Sequence, residues 1–135
     1  LAISNDYVLN SRLITTGYVP HNHIDLLLSH ADLFVLPSLY EGFGIPLLEA
    51  QKVGVAVACS TAGSLPEVAG DSWSFFDPYS VDSIAQTVYK CLSDENLCAE
   101  LRHLGEENLK KFSWQKTASE TLVVYRNVLK KYTYF

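Results

Sequence analysis

The stretch Leu33-Phe34-Val35-Leu36-Pro37-Ser38-Leu39-Tyr40-Glu41-Gly42-Phe43-Gly44-Ile45-Pro46-Leu47-Leu48-Glu49 sets the fold class. Leu33 to Leu36 is a short, unbroken apolar run, as a parallel strand covered on both faces requires. Pro37 stops it, because proline has no N–H for a ladder. A loop from Ser38 to Gly44 follows. A helix is expected from about Ile45 to Val53, with Pro46 in the first turn, where a missing N–H costs nothing. Gly54 ends it, and Val55 to Cys59 reads as the next apolar strand.

The alternation continues on either side. Ser11 to Tyr18 is enriched in β-branched residues and predicts a strand ending near Gly17. His21 to His30 predicts a helix with Asn22 as N-cap and Asp25 near its positive end. Ser64-Leu65-Pro66-Glu67 has the form of a capping box opening a short helix. Trp73 to Phe76 predicts a short strand. Three helices close the chain, at about Val81 to Leu92, Asn96 to Phe112 and Trp114 to Tyr132, with Asp82 and Ser113 near their starts. This order predicts an α/β fold: one Rossmann-like parallel sheet with helices on both faces and no interior domain boundary. Ligands of such sheets bind beyond the carboxyl ends of the strands, which places Pro37 to Gly44 where a site is expected.

Composition narrows the function. With 135 residues, 48% apolar and 19% charged, the chain can bury a core and is not of disordered type. Its net charge of -5 lacks the basic face that a phosphate backbone needs, so no nucleic-acid partner is expected. No apolar run is long enough to span a bilayer, and no segment is laid out as a signal peptide. Cys59, Cys91 and Cys98 are scattered and odd in number, which reads as reduced thiols and a cytoplasmic location. The chain contains no methionine and begins Leu1-Ala2-Ile3, which reads as a piece of a longer polypeptide.

In the loop Glu41 to Glu49, two glycines allow a tight turn and close approach of a ligand. The helix N-terminus that follows favours an anion such as a phosphate. Glu41 lies beside the glycines and Glu49 about one turn into the helix, and carboxylates accept well from sugar hydroxyls. Physics alone leaves two readings open. Gly-x-Gly after a strand is common in α/β turns, and Glu49 near a helix start also satisfies the macrodipole.

The wording Ser38-Leu39-Tyr40-Glu41-Gly42-Phe43-Gly44-Ile45-Pro46-Leu47-Leu48-Glu49-Ala50 closely resembles the E-x7-E motif of the family 4 retaining glycosyltransferases, which have two lobes of the GT-B type. Gly17-Tyr18-Val19-Pro20, Ala31 to Ser38, Gly63-Ser64-Leu65-Pro66-Glu67-Val68 and Phe112-Ser113-Trp114 are similar to further features of that family in the same order, so the resemblance covers nearly the whole chain. It implies a partial C-terminal, nucleotide-sugar-binding lobe over residues 1–135. The first part of that lobe and the N-terminal acceptor lobe would then be absent. It implies that Glu41 is catalytic and faces the transferred sugar. Gly42, Phe43, Gly44 and Ile45 would meet the sugar or phosphates through their backbone, and Glu49 would hold the ribose hydroxyls. Tyr18 and Val19 would lie beside the base.

The resemblance also implies a nucleoside-diphosphate sugar as donor substrate, no cofactor and no metal. The acceptor would be a glycan or glycolipid, bound through the missing lobe. An Arg and a Lys that the family sets on the diphosphate would precede position 1. The wording from Leu65 to Asp71 and at Phe76-Asp77-Pro78 resembles bacterial surface-polysaccharide members, many of which use GDP-mannose. Two departures, Gln51 and Ala56, fall on the helix-to-strand return and are expected to affect packing rather than chemistry.

Other polar residues carry plainer readings. His21 and His23 are expected as solvated turn residues, His30 and His103 as helix-surface or helix-end groups, and Cys59 as a core thiol. Trp114, Tyr125 and Tyr132 read as core or interlobe packing. Lys130-Lys131 with the aromatic tail suits a membrane surface, which would place the protein at the inner face of the membrane, but a solvated or docked terminus is the simpler reading. The alternative to an enzyme part is a non-catalytic nucleotide-sugar-binding subunit that acts with a separate acceptor-lobe partner.

Overall fold

The computed structural model describes residues 12–132; Ser11 and the tail 133–135, with the side chain of Tyr132, lie outside the described residues. The described elements are α1 (His21–Ser29), β1 (Phe34–Leu36), α2 (Ile45–Lys52), β2 (Val57–Ser60), α3 (Leu65–Ala69), β3 (Ser74–Phe76), α4 (Val81–Ser93), α5 (Glu95–Leu109) and α6 (Trp114–Tyr132).

The three strands form one parallel sheet in the order β1-β2-β3. Phe34 pairs with Val57 and Leu36 with Cys59; Ala58 pairs with Ser74 and Ser60 with Phe76. Strand alternation divides the core between the two faces. Val57 and Cys59 pack with Leu47 and Ala50 of α2 and with Leu65, Val68 and Ala69 of α3. Ala56 packs with Cys91 of α4 and with Cys98 and Leu101 of α5. The expected α/β sheet with helices on both faces is therefore present. β2 is buried throughout, whereas β1 is only half-buried.

The strand expected over Ser11–Tyr18 is not formed among the described residues 12–18. β-branched composition supplies propensity, but a strand exists only through a hydrogen-bonded neighbour, and this segment has none there. Leu13 and Ile14 accordingly stand exposed. The expected Asn22 cap is also displaced. α1 starts at His21 with Pro20 in the cap position and no side-chain cap.

Three helix starts are capped by side chains. Ser80 Oγ accepts from Ser83 N, and Asp94 Oδ1 accepts from Leu97 N. Ser113 Oγ accepts from Lys116 N. The described side chains of α6, Trp114 to Lys131, are all exposed; Trp114 is 76% and Tyr125 63% exposed, so neither belongs to the core. No helix among the described residues is long and apolar enough to cross a membrane.

Gln51 is 3% exposed and forms a buried polar relay. Its Nε2 donates to Ser72 Oγ at 2.6 Å, and its Oε1 accepts from Asn108 Nδ2 at 3.2 Å. Asn108 Nδ2 also donates to Val68 O at 2.9 Å. Gly105 makes room, since a Cβ there would stand 3.1 Å from Gln51 Cγ. The relay ties α2 to α5 and to the turn after α3. Gln51 is thus a packing residue, as expected, although its packing is polar.

Candidate functional site

The loops leaving the carboxyl ends of β1 and β2 meet at Glu41. Ser60, the last residue of β2, is fully buried, and its hydroxyl donates to Ser38 O at 2.6 Å. Ser38 Oγ donates to Glu41 Oε1 at 2.9 Å. From the β2–α3 loop, Ser64 Oγ donates to Glu41 O at 3.1 Å, and Ser64 N reaches the same carbonyl at 3.4 Å. This overturns the capping box expected between Ser64 and Glu67. Ser64 already has helical dihedrals, and its hydroxyl is taken by Glu41, so no side-chain cap forms and Glu67 is exposed.

The glycines of the loop are not equivalent. Gly44 caps α2 at φ 100°, and a Cβ there would stand 2.6 Å from Leu65 Cδ2. Only glycine combines that dihedral with that contact. Gly42 has open space around it. The N–H groups of Gly42, Phe43, Gly44 and Ile45 donate to no hydrogen bond among the described residues. Gly44 is buried even so, and an unmade bond in a buried amide costs about 1–3 kcal/mol. Four adjacent donors at the start of a helix favour an anion.

Helix α2 uses its two faces for different ends. Leu47, Ala50 and Gln51 point into the core. Ile45, Leu48, Glu49 and Lys52, at i, i+3, i+4 and i+7, line a cleft of about 610 Å³. The open cleft is also lined by His21 of α1, by Phe43, and by Leu109, Phe112, Ser113, Trp114 and Thr117. Phe43 meets Phe112 edge to face, with ring centroids 5.9 Å apart. Lys52 is held by Asp25 at 2.9 Å, and that carboxylate raises the lysine pKa above its ordinary value through the hydrogen bond and the opposite charge.

The residues singled out from sequence therefore fall in three places. Phe43, Ile45 and Glu49 share the cleft. Glu41 lies outside its lining, against Ser38, Gly63 and Ser64, with Gly42 and Gly44 between the two glutamates along the chain. Tyr18 is 91% exposed, and neither it nor Val19 lines the cleft. Sequence reasoning missed His21, Lys52 and Trp114 as cleft residues and Ser38 as the partner of Glu41. Helical spacing from Glu49 gives Lys52, and Ser38 lies only three residues before Glu41 in the same loop; nothing in the spacing gives His21 or Trp114. Cys59 is fully buried, as expected, and burial pushes its thiol up to about 12.

A family model of the group 1 glycosyl transferases matches residues 2–111. The O-antigen chain mannosyltransferase B of Escherichia coli is 41% identical over 110 residues, which are 82% of this chain and 29% of that protein. A serotype-specific mannosyltransferase of Escherichia coli is 40% identical over 119 residues, 87% of this chain and 15% of that protein. Sucrose-phosphate synthase from Thermosynechococcus elongatus has the same fold at a TM-score of 0.83 and 26% identity, over 93% of this chain and 32% of that one. The chain spans less than a third of the length of each of these relatives. The family match covers most of its length and is consistent with the parallel sheet, and the chain belongs to the group 1 glycosyl transferases.

Proposed function

We propose that this chain is the donor-binding part of a retaining glycosyltransferase that moves a sugar from a nucleoside-diphosphate sugar, GDP-mannose in the first instance, to a polysaccharide or glycoconjugate. The observation that carries this reading is the row of N–H groups from Gly42 to Ile45 that have no acceptor among the described residues, set between Glu41 and Glu49. In the reaction the bond from the anomeric carbon to the diphosphate oxygen breaks, and the electron pair leaves with the nucleoside diphosphate. The acceptor hydroxyl forms the new bond to the anomeric carbon, and its proton passes to an oxygen of the departing diphosphate. Donors fixed beforehand at the leaving oxygens lower the barrier without reorganisation. Glu49 would accept from the ribose hydroxyls in the cleft, and Glu41 would face the transferred sugar.

The choice of mannose is supported by the two relatives named as mannosyltransferases. The acceptor would bind to the part of the protein that lies outside this chain. The test is release of nucleoside diphosphate by the native full-length polypeptide, offered UDP-, GDP- and ADP-sugars in turn. Glu49→Ala should weaken donor binding, while Glu41→Ala should mainly lower turnover. Near-normal kinetics in both variants would overturn the assignment.

A further inference from the structure

Two side-chain contacts constrain different parts of Glu41, and a third fixes the backbone of its partner Ser38. Its carbonyl is fixed by the Ser64 hydroxyl at 3.1 Å, from a loop 23 residues away. The backbone of Ser38 is fixed separately, because the buried Ser60 hydroxyl donates to Ser38 O at 2.6 Å. With both backbones held by non-local contacts, the main freedom left is rotation of the Glu41 side chain. The Ser38 hydroxyl removes it by donating to Oε1 at 2.9 Å in a half-buried setting. The carboxylate has no salt bridge and no other side-chain hydrogen bond among the described residues, so Oε2 remains open to a ligand.

We propose that Ser38 is a positioning residue that holds the Glu41 carboxylate at one orientation for the reaction centre. This rests on the assignment of Glu41 proposed above. A serine hydroxyl suits the task. It orients the anion by a charge-assisted hydrogen bond without the competing full charge of a lysine or arginine. Because the Ser60 contact uses the Ser38 carbonyl, removing the Ser38 hydroxyl leaves the loop backbone in place.

The test is a double-mutant cycle in the native full-length polypeptide, with GDP release from GDP-mannose as the readout and thermal melting alongside it. Ser38→Ala should lower kcat about tenfold, the scale of one hydrogen bond to a charged group, with KM within about twofold. Ser38→Thr, which keeps the hydroxyl, should restore most of the loss. In a Glu41→Ala background, Ser38→Ala should cost nothing more. A wild-type kcat in Ser38→Ala, or a loss that multiplies with that of Glu41→Ala, overturns the positioning role and leaves Glu41 in the reaction centre. Unchanged turnover in Glu41→Ala overturns both assignments together.

Discussion

A Cβ on Gly63 would stand 2.6 Å from the carbonyl oxygen of Glu41 and 3.0 Å from its nitrogen. Gly63 also has φ +59°, in the left-handed region. The β2–α3 loop thus lies directly against the backbone that carries the first glutamate. The contact is between backbones, so no side-chain rotation relieves it. It joins the packing of the fold to the geometry of the site.

Gly63→Ala should therefore combine a dihedral cost with a collision. Left-handed geometry costs a non-glycine residue about 1–2 kcal/mol. Gly54→Ala is the control, since Gly54 has φ +79° with nothing within 4 Å of the Cβ position. In urea titrations Gly63→Ala should lose more stability than Gly54→Ala, by at least about 1 kcal/mol for the forced shift. In the full-length polypeptide only Gly63→Ala should also depress donor turnover. Equal effects of the two substitutions would show that the close approach to Glu41 has no consequence.

The Gln51 relay predicts coupled stability losses. Asn108→Ala strands the Val68 carbonyl and the Gln51 Oε1 in a buried setting, at about 1–3 kcal/mol for each acceptor that water does not reach. Gln51→Leu removes one partner of Asn108 and one of Ser72, while Asn108 keeps Val68 O and Ser72 keeps Ala69 O. The double variant should be less destabilised than the sum of the two, by about 0.5–3 kcal/mol, because the second change strands fewer groups. Additive urea midpoints would show that the three side chains do not act as one unit. Gly105→Ala should disturb the same relay, since a Cβ there would stand 3.1 Å from Cγ of a Gln51 side chain that is buried and hydrogen-bonded at its amide.

Cys59 makes stability fall at alkaline pH. Burial raises its thiol from an ordinary 9.0 to about 12. Above pH 9.0 the unfolded chain loses this proton while the folded chain keeps it, so the unfolded state binds fewer protons and stability declines with rising pH until about pH 12. Below the unfolded value the contribution is fully present. Burial also raises Cys98, which acts in the same direction. Urea midpoints from neutral to alkaline pH should fall less steeply in Cys59→Ala than in the parent, with part of the slope left to Cys98. An unchanged slope would place the alkaline loss elsewhere.

What was legible in the sequence follows from the range of each interaction. The β1–loop–α2 unit was legible because its determinants are local: an apolar run, a proline that stops it, and Gly44 and Pro46 at the helix start. The wording of the same loop singled out Glu41 and Glu49, but not that only Glu49 lines the cleft. The Ser11–Tyr18 strand failed because pairing is a property of two segments and propensity of only one. The Ser64 cap failed for a related reason, since a partner 23 positions away took the hydroxyl. Gly63 and Trp114 acquire their site contacts only when segments distant in sequence come together, whereas Ser38 meets Glu41 within one loop and depends on how that loop turns. Gln51 could be marked as a departure from the wording of the resembled family, but not as a member of a relay closed by Asn108, which lies 57 positions on.

Trp114 offers a direct report on the cleft. It lines the cavity that holds Glu49 and is 76% exposed, so a nucleotide entering there displaces water from its ring. The other tryptophan, Trp73, packs against the main core and donates its indole N–H to Gly70 O, away from the cleft. With only two tryptophans in the chain, any emission change on titration with GDP should come from Trp114. Trp114→Phe should abolish the change, while Glu49→Ala should keep its amplitude and move its midpoint to higher GDP concentration. The two variants then separate the reporter from the contact. A full-amplitude change that survives Trp114→Phe would mean that the nucleotide binds away from this cleft, and the ribose role of Glu49 would fall with it.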